Sequence, residues 1–299
     1  MKIVVGSRGS KLALWQAHHI AARLTELGAE TSIEIIKTTG DKITDVPLAK
    51  VGGKGLFTKE IEEALLARTI DVAVHSLKDV PSEIPAGLTL AAMPEREDPR
   101  DALVGLPLDQ LREGTRVGTS SLRRAAQLLA LGRGLVTETL RGNVDTRLRK
   151  LDDGEYDAIV LAAAGLRRLG WQDRICELIP VDVMCPAVGQ GALAIEARDD
   201  AGPGLELVKK LNHHPTMLAV TAERALLATL EGGCQVPIGG YARVDGETIH
   251  LRAIVASPDG TRIVRGERSG SDPGKIGTDL GRELLDRGAR EILKEAYAA

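Results

Sequence analysis

The sequence predicts an α/β protein, with two lobes of like architecture around a hinged cleft and a small α+β domain at the C-terminus. Three observations predict it. Short apolar strands alternate with helical stretches from residue 1 to about 200. The same strand–turn–helix grammar occurs twice within that span. After His213-His214-Pro215 the alternation gives way to a long helix and paired strands. A single hydrophobic core would also be unusual for 299 residues.

The first unit opens with a strand at 3–5. A helix follows at 12–27, where Leu12, Trp15, Ile20, Leu24 and Leu27 fall near helical spacing and Gly28 stops the run. A strand at 32–36, a helix at 57–66 and a strand at 71–75 complete it. The second unit echoes the first. Val4-Val5-Gly6-Ser7 matches Arg116-Val117-Gly118-Thr119, and the helix at 122–131 follows. Ile35-Ile36 leading to Gly40 matches Val136 leading to Gly142, and Asp71-Val72-Ala73-Val74 matches Asp157-Ala158-Ile159-Val160. The offsets differ, so this is not a tandem repeat. The first unit has the longer loop, at 41–57, which reads as a mobile lid.

The charged, proline-bounded run 94–101 reads as the crossing between lobes, and 186–191 as the return into a strand at 193–197. Domain bounds follow: lobe 1 at 1–95 plus 192–213, lobe 2 at 96–191, and a C-terminal domain at 214–299. That last domain holds a helix at 216–230, strands at 248–255 and 262–268 around an Asp259-Gly260 turn, and a final helix at 276–297.

Composition bounds the function. Hydrophobic residues make up 43% and charged residues 27%, which suits a soluble, well-cored protein. Aromatics are only 2%, so Leu, Ile, Val and Ala must build the cores. A net charge of −3 argues against a nucleic-acid binder. No apolar window is long enough to span a membrane, and the opening MKIVVGSRGS lacks a signal-peptide core. Cys176, Cys185 and Cys234 form no C-x-x-C pair, so neither zinc nor any other metal is expected. A cytoplasmic monomer is the expectation.

Cations gather at predicted strand ends, inside Gly/Ser/Thr loops: Arg8, Lys11, Lys50, Lys54, Lys78, Arg123, Arg124, Arg141, Arg147, Arg167 and Arg168. Ligands of open α/β sheets bind at that edge, where guanidinium forks and helix N-termini favour anions. A polyanionic small ligand is therefore expected. Val51-Gly52-Gly53-Lys54-Gly55 lacks the G-x-x-x-x-G-K-S/T spacing of a nucleotide loop. Asp79, in His75-Ser76-Leu77-Lys78-Asp79-Val80-Pro81, has the chemistry for proton transfer or cation stabilisation, and equally for capping a turn. Cys234 sits among small and turn residues, where a thiol can act as a nucleophile or an attachment point. Cys176 and Cys185 read as packed side chains, and His213-His214 as a turn rather than half of a Cys–His pair.

Eight segments in order resemble the porphobilinogen deaminase (hydroxymethylbilane synthase) family over essentially the whole chain. The first are Ser7-Arg8-Gly9-Ser10 with Leu14-Trp15-Gln16, Val51 through Phe57, His75 through Pro81, and Glu95 through Asp101. The others are Gly118 through Arg124, Leu140-Arg141-Gly142-Asn143, Pro186 through Gly191, and Glu231 through Pro237. The resemblance implies periplasmic-binding-protein-like lobes and a transferase of tetrapyrrole (haem) biosynthesis. It would join four porphobilinogen molecules head-to-tail into hydroxymethylbilane and release ammonia. It also implies a dipyrromethane cofactor on a thioether at Cys234, held by Lys54, Ser76, Lys78, Asp79, Thr119, Ser120, Ser121, Arg123, Arg124, Arg141 and Gly142. Asp79 would be catalytic. Arg8, Ser10, Gln16, Phe57, Arg141, Arg147 and Arg168 would meet the substrate, with Arg123 and Arg124 serving the primer. The competing reading is a non-catalytic two-lobed binding protein for an anionic small ligand, which has no use for Cys234.

Overall fold

The computed structural model describes residues 1–42, 55–200, 203–231 and 236–298. The fold is α/β with a smaller α+β C-terminal part. The chain divides into two compact units: residues 1–97 with 192–217, and residues 98–191 with 218–299.

The first unit carries a five-stranded sheet in the order β2-β1-β3-β10-β4, built from β1 (Lys2–Ser7), β2 (Glu30–Ile35), β3 (Val72–Ser76), β4 (Leu88–Ala92) and β10 (Leu193–Arg198). Helix α1 (Lys11–Glu26) starts at Ser10, whose side chain accepts from the Ala13 N–H. Its inner stripe of Gln16, Ala17, Ile20, Ala21 and Leu24 returns at helical spacing to cover one sheet face. There Ile20 and Leu24 join Ile3, Val5, Val74 and Ile195 in one core. Each such side chain contributes about 1.5–3 kcal/mol on burial, so Leu24→Ala should cost about 2–5 kcal/mol. Helix α3 (Lys59–Leu66) covers the other face with Ile61 and Leu65, against Ile70 and Ala73. A short α2 (Thr39–Lys42) and α7 (Pro203–Lys209) complete the unit.

The α/β part of the second unit repeats this plan. Its sheet runs β7-β6-β8-β5-β9, from β5 (Asp101–Val104), β6 (Arg116–Gly118), β7 (Val136–Glu138), β8 (Ala158–Ala162) and β9 (Glu177–Leu178). In both sheets the first three strands pair in parallel and the fourth runs antiparallel to the third. The echoed aspartates repeat a contact as well. Asp71 accepts from the Val4 N–H at 2.8 Å, and Asp157 from the Arg116 N–H at 2.7 Å. Each staples the start of the third strand to the strand beside it. Helices α4 (Leu122–Leu129), α5 (Val144–Asp152) and α6 (Ala163–Arg168) follow β6, β7 and β8.

The α+β part has its own core and an antiparallel sheet of β11 (Ile238–Asp245), β12 (Thr248–Ala256) and β13 (Ile263–Gly270). Helices α8 (His214–Thr229), α9 (Pro273–Leu284) and α10 (Arg290–Ala298) accompany it. Two details differ from the sequence expectation. The single final helix is divided at Gly288, which has φ 102°. Strand β11 adds a third strand ahead of the two expected at 248–255 and 262–268, where Gly239 and Gly240 pair with Ile254 and Ala253. A Cβ on Gly239 would sit 2.9 Å from the Cys185 carbonyl, so glycine here permits close backbone packing. Among the described residues no helix is long and apolar enough to cross a membrane.

Candidate functional site

The first unit forms a pocket where β1 and β3 end. Arg8, Ser10, Gln16, Phe57, Thr58, His75, Ser76 and Asp79 line it. Strand β3 delivers His75 and Ser76, and a single 3₁₀ turn, Leu77–Asp79, swings Asp79 onto the wall. Gln16 is buried at the base, and its Nε2 donates to Ser76 Oγ at 2.9 Å. Asp79 is half-buried, and its carboxylate has no hydrogen bond or ion pair among the described residues. Arg8 Nε and Nη2 donate to Asp41 Oδ1 at 3.0 and 2.5 Å, and its guanidinium lies 4.2 Å from the Phe57 ring centroid. Burial pushes the Asp41 carboxyl up, but Arg8 together with the hydrogen bonds from Thr38 outweighs this and holds it below the usual carboxylate range.

A larger cavity of about 440 Å³ lies at the opposite end of the same sheet, lined by Lys2, Arg68, Asp71, Arg198 and Asp200 among others. Its charges serve one another. Arg68 pairs with Asp200, while Arg198 donates to the Leu65 and Ile70 carbonyls and neighbours Asp71.

The second unit places its predicted residues around the N-terminus of α4. Ser121 caps the helix, Thr119 Oγ1 accepts from the Ser121 N–H, and Ser120 donates to the Leu140 carbonyl. Arg123 and Arg124 correct the reading of these cations as loop residues. Both lie in the first turn of α4, are buried, and share one carboxylate, Asp101. Arg123 Nη1 donates to Asp101 Oδ2 at 2.8 Å and to the Cys185 carbonyl at 2.6 Å. Its Nη2 makes a long 3.4 Å contact with Gln190 Oε1. Arg124 Nε donates to Asp101 Oδ1 at 2.9 Å, and Gln190 Nε2 donates to the same oxygen. Burial alone would push the Asp101 carboxyl up, but the two guanidiniums hold it far below the usual carboxylate range.

Gly142 has φ 109°, and a Cβ there would meet Thr146 at 2.7 Å; its carbonyl accepts from Arg147 Nε at 2.8 Å. Arg168, at the end of α6, donates to the Gly191 carbonyl at 2.7 Å, and Arg141 is half-buried. Arg147 and Arg168 are likewise helical rather than in loops.

Lys54 and Cys234, with Lys50 and most of the 41–57 loop, lie outside the described residues. Cys185 is buried, which pushes its thiol up to about 12. Cys176 corrects the sequence reading: it is exposed, because it precedes edge strand β9 and turns its Sγ out toward the Gly105 carbonyl. His213 Nδ1 lies 2.9 Å from Thr216 Oγ1 at the start of α8. Among the described residues no group of three or more His, Cys, Asp and Glu could hold a metal ion.

The sequence reading gave no role to Asp101, Gln190, Glu62 or Glu196. One signal was available: an acid set inside an apolar run, as in Asp101-Ala102-Leu103-Val104 and Leu193-Ala194-Ile195-Glu196.

The family described as porphobilinogen deaminase, dipyromethane cofactor binding domain, matches residues 3–203. The porphobilinogen deaminase C-terminal domain matches residues 217–286. The chain belongs to the porphobilinogen deaminase family. A porphobilinogen deaminase of Syntrophobacter fumaroxidans is 54% identical over 304 residues, spanning 99% of this chain and 98% of its own. Two solved solute receptors are more distantly similar. One is DctP7 of Bordetella pertussis, which binds pyroglutamic acid, with 13% identity and TM-score 0.42 over all of both chains. The other is a TRAP periplasmic solute binding protein of Desulfovibrio salexigens, with 11% identity and TM-score 0.43 over 71% of this chain and 72% of its own. At such scores neither likeness bears on function. Within the porphobilinogen deaminase family, the first match spans the chain that forms both α/β sheets, and the second begins inside α8.

Proposed function

We propose that the pocket beside Asp79 is where this chain deaminates porphobilinogen and closes each new carbon–carbon bond. Family membership carries the overall reaction. Porphobilinogen units are joined head-to-tail into hydroxymethylbilane, ammonia leaves, and the product enters tetrapyrrole biosynthesis. The cofactor is dipyrromethane. The same reading makes Cys234 its thioether anchor and the protein a cytoplasmic monomer.

One observation carries the assignment: Asp79 is a carboxylate on a pocket wall with no partner among the described residues. When the aminomethyl C–N bond breaks, the electron pair leaves with ammonia and positive charge spreads into the pyrrole ring. A carboxylate fixed on the pocket wall stabilises that charge as it develops. Arg8 at the pocket would hold a carboxylate of the substrate's acetate or propionate groups, which lowers the entropy cost of bringing carbons together.

The second unit fits the acidic cofactor. Asp101 gives one negative charge to two buried guanidiniums, so the cluster keeps an excess positive charge. Arg123 Nη2 still has donor capacity toward a carboxylate. Thr119, Ser121, Arg123, Arg124, Arg141 and Gly142 would hold the group there. When bound, dipyrromethane supplies the nucleophilic pyrrole carbon on which the chain begins.

Intact mass tests the reading. The parent protein should carry a two-pyrrole adduct that Cys234→Ser abolishes and that Cys176→Ser and Cys185→Ser retain. Asp79→Asn should carry the adduct yet form no heavier species with porphobilinogen. A parent without adduct would favour a binding protein, and an Asp79→Asn protein that elongates like the parent would remove Asp79 from the chemistry.

A further inference from the structure

Behind the pocket the first unit buries three titratable groups that the steps above leave unused. His75 Nε2 lies 3.0 Å from Glu196 Oε2, with the two side chains 4% and 0% exposed. Glu62, on the buried side of α3, neighbours the pair; burial pushes its carboxyl above the usual range, and the charge of Glu196 adds to this. Among the described residues, Oε1 of Glu196 and Oε1 of Glu62 are buried without a hydrogen-bond partner. Leaving carboxyl oxygens in this state costs stability.

The architecture does not require that cost. His75 faces Ala194 across the β3–β10 ladder, and Glu196 faces Ala73, so small residues leave room for the diagonal pair. In the second unit the corresponding ladder sets Leu161 against Ala102 and Val104 against Ile159. The positions of His75 and Glu196 are thus taken by Leu161 and Val104, both buried and apolar. A polar, ionisable pair has been placed where the repeated fold is content with hydrocarbon. His75 also lines the pocket beside Ser76 and Asp79, and the contact with Glu196 is its one side-chain hydrogen bond among the described residues. A carboxylate on Nε2 selects the Nε2–H tautomer and leaves Nδ1 as the basic nitrogen.

We propose that His75, oriented by Glu196, is the base that takes up the proton released at each coupling. This rests on the Asp79 pocket being the coupling site. In the step, a bond forms between the substrate methylene carbon and the α-carbon of the receiving pyrrole. The C–H bond at that α-carbon breaks, its electron pair restores the aromatic ring, and the proton moves to His75 Nδ1. The imidazolium is stabilised by Glu196 and gives its proton to water before the next round. Glu196 is a positioning residue, since it does not touch the reacting atoms.

The test uses the holoenzyme with Glu196→Gln, which keeps the shape and removes the charge. Turnover should fall about 100-fold with KM changed less than about threefold, because a general base acts on the chemical step. Porphobilinogen deuterated at its free α-carbon should then show a primary isotope effect larger than in the parent. If Glu196→Gln does not fold, His75→Gln is read in the same way. Independently of turnover, the ¹⁵N spectrum of the parent, with and without its primer, should show His75 as the Nε2–H tautomer. A folded variant with parental turnover and no added isotope effect overturns the proposal, as does an Nδ1–H tautomer. If Asp79→Asn also turned over normally, the pocket assignment itself would fail. An inactive Asp79→Asn beside an unimpaired Glu196→Gln would remove the base alone.

Discussion

The two α/β units share a topology yet treat their acids in opposite ways. In the second unit Asp101, fully buried on β5, is bound by two guanidiniums and Gln190. In the first unit Asp79 stands on a pocket wall with no partner among the described residues, and the buried Glu196 on β10 meets a histidine. A carboxylate whose bonds are already made holds elements together and has little to offer a reacting group. One with bonds still to make can respond to charge that appears during a reaction. The same backbone plan thus carries an anchoring acid in one copy and, on the proposed function, a reactive acid in the other.

Predictions sharpen that contrast. Asp101→Asn should lower stability by about 3–5 kcal/mol, since two buried guanidiniums would lose their counter-charge. Urea unfolding of the full chain checks it, and a loss below about 1 kcal/mol would make the pair no anchor. The effect should depend on pH with a definite sign. The folded carboxyl of Asp101 lies below its unfolded value of about 4, so its stabilisation is fully present above that pH. It is lost as pH falls through the lower folded value. The gap in unfolding free energy between parent and Asp101→Asn should therefore narrow as acid is added below about pH 4. A gap that stays constant down to pH 2 would contradict the assigned ion pair.

Gln190→Ala should cost about 1–2 kcal/mol by withdrawing one donor from Asp101. At the pocket, the partly exposed Arg8–Asp41 pair should matter least to stability. Arg8→Lys should change it by under about 1 kcal/mol while raising KM for porphobilinogen about 3- to 10-fold, because an ammonium lacks the planar fork. A larger stability change than KM change would make Arg8 a second anchor.

Much of this was legible in the sequence. The echo of Val4 by Arg116 and of Asp71 by Asp157 marks equivalent strands, and each aspartate makes the same backbone bond. The pocket segment from His75 to Asp79 could also be read, because strand, 3₁₀ turn and side chains are contiguous. What stayed hidden is pairing across distance. Glu196 meets His75 from 121 residues away, and Asp101 meets Arg123 across 22. Local pattern marks Arg123 and Arg124 as cations at a strand end, and only the packing of α4 turns them inward to Asp101. Cys176 failed for the converse reason, since an apolar run on an edge strand still has an outward side.

The most direct test compares ammonia release per folded molecule with unfolding free energy in Asp79→Asn and Asp101→Asn. Asp79→Asn should lose about 100- to 1,000-fold in turnover, as expected for one electrostatic stabiliser, while its stability stays within about 1 kcal/mol of the parent. Asp101→Asn should show the larger loss of stability. Near-parental turnover in a folded Asp79→Asn protein would contradict the assignment and leave Asp79 as a residue of the turn.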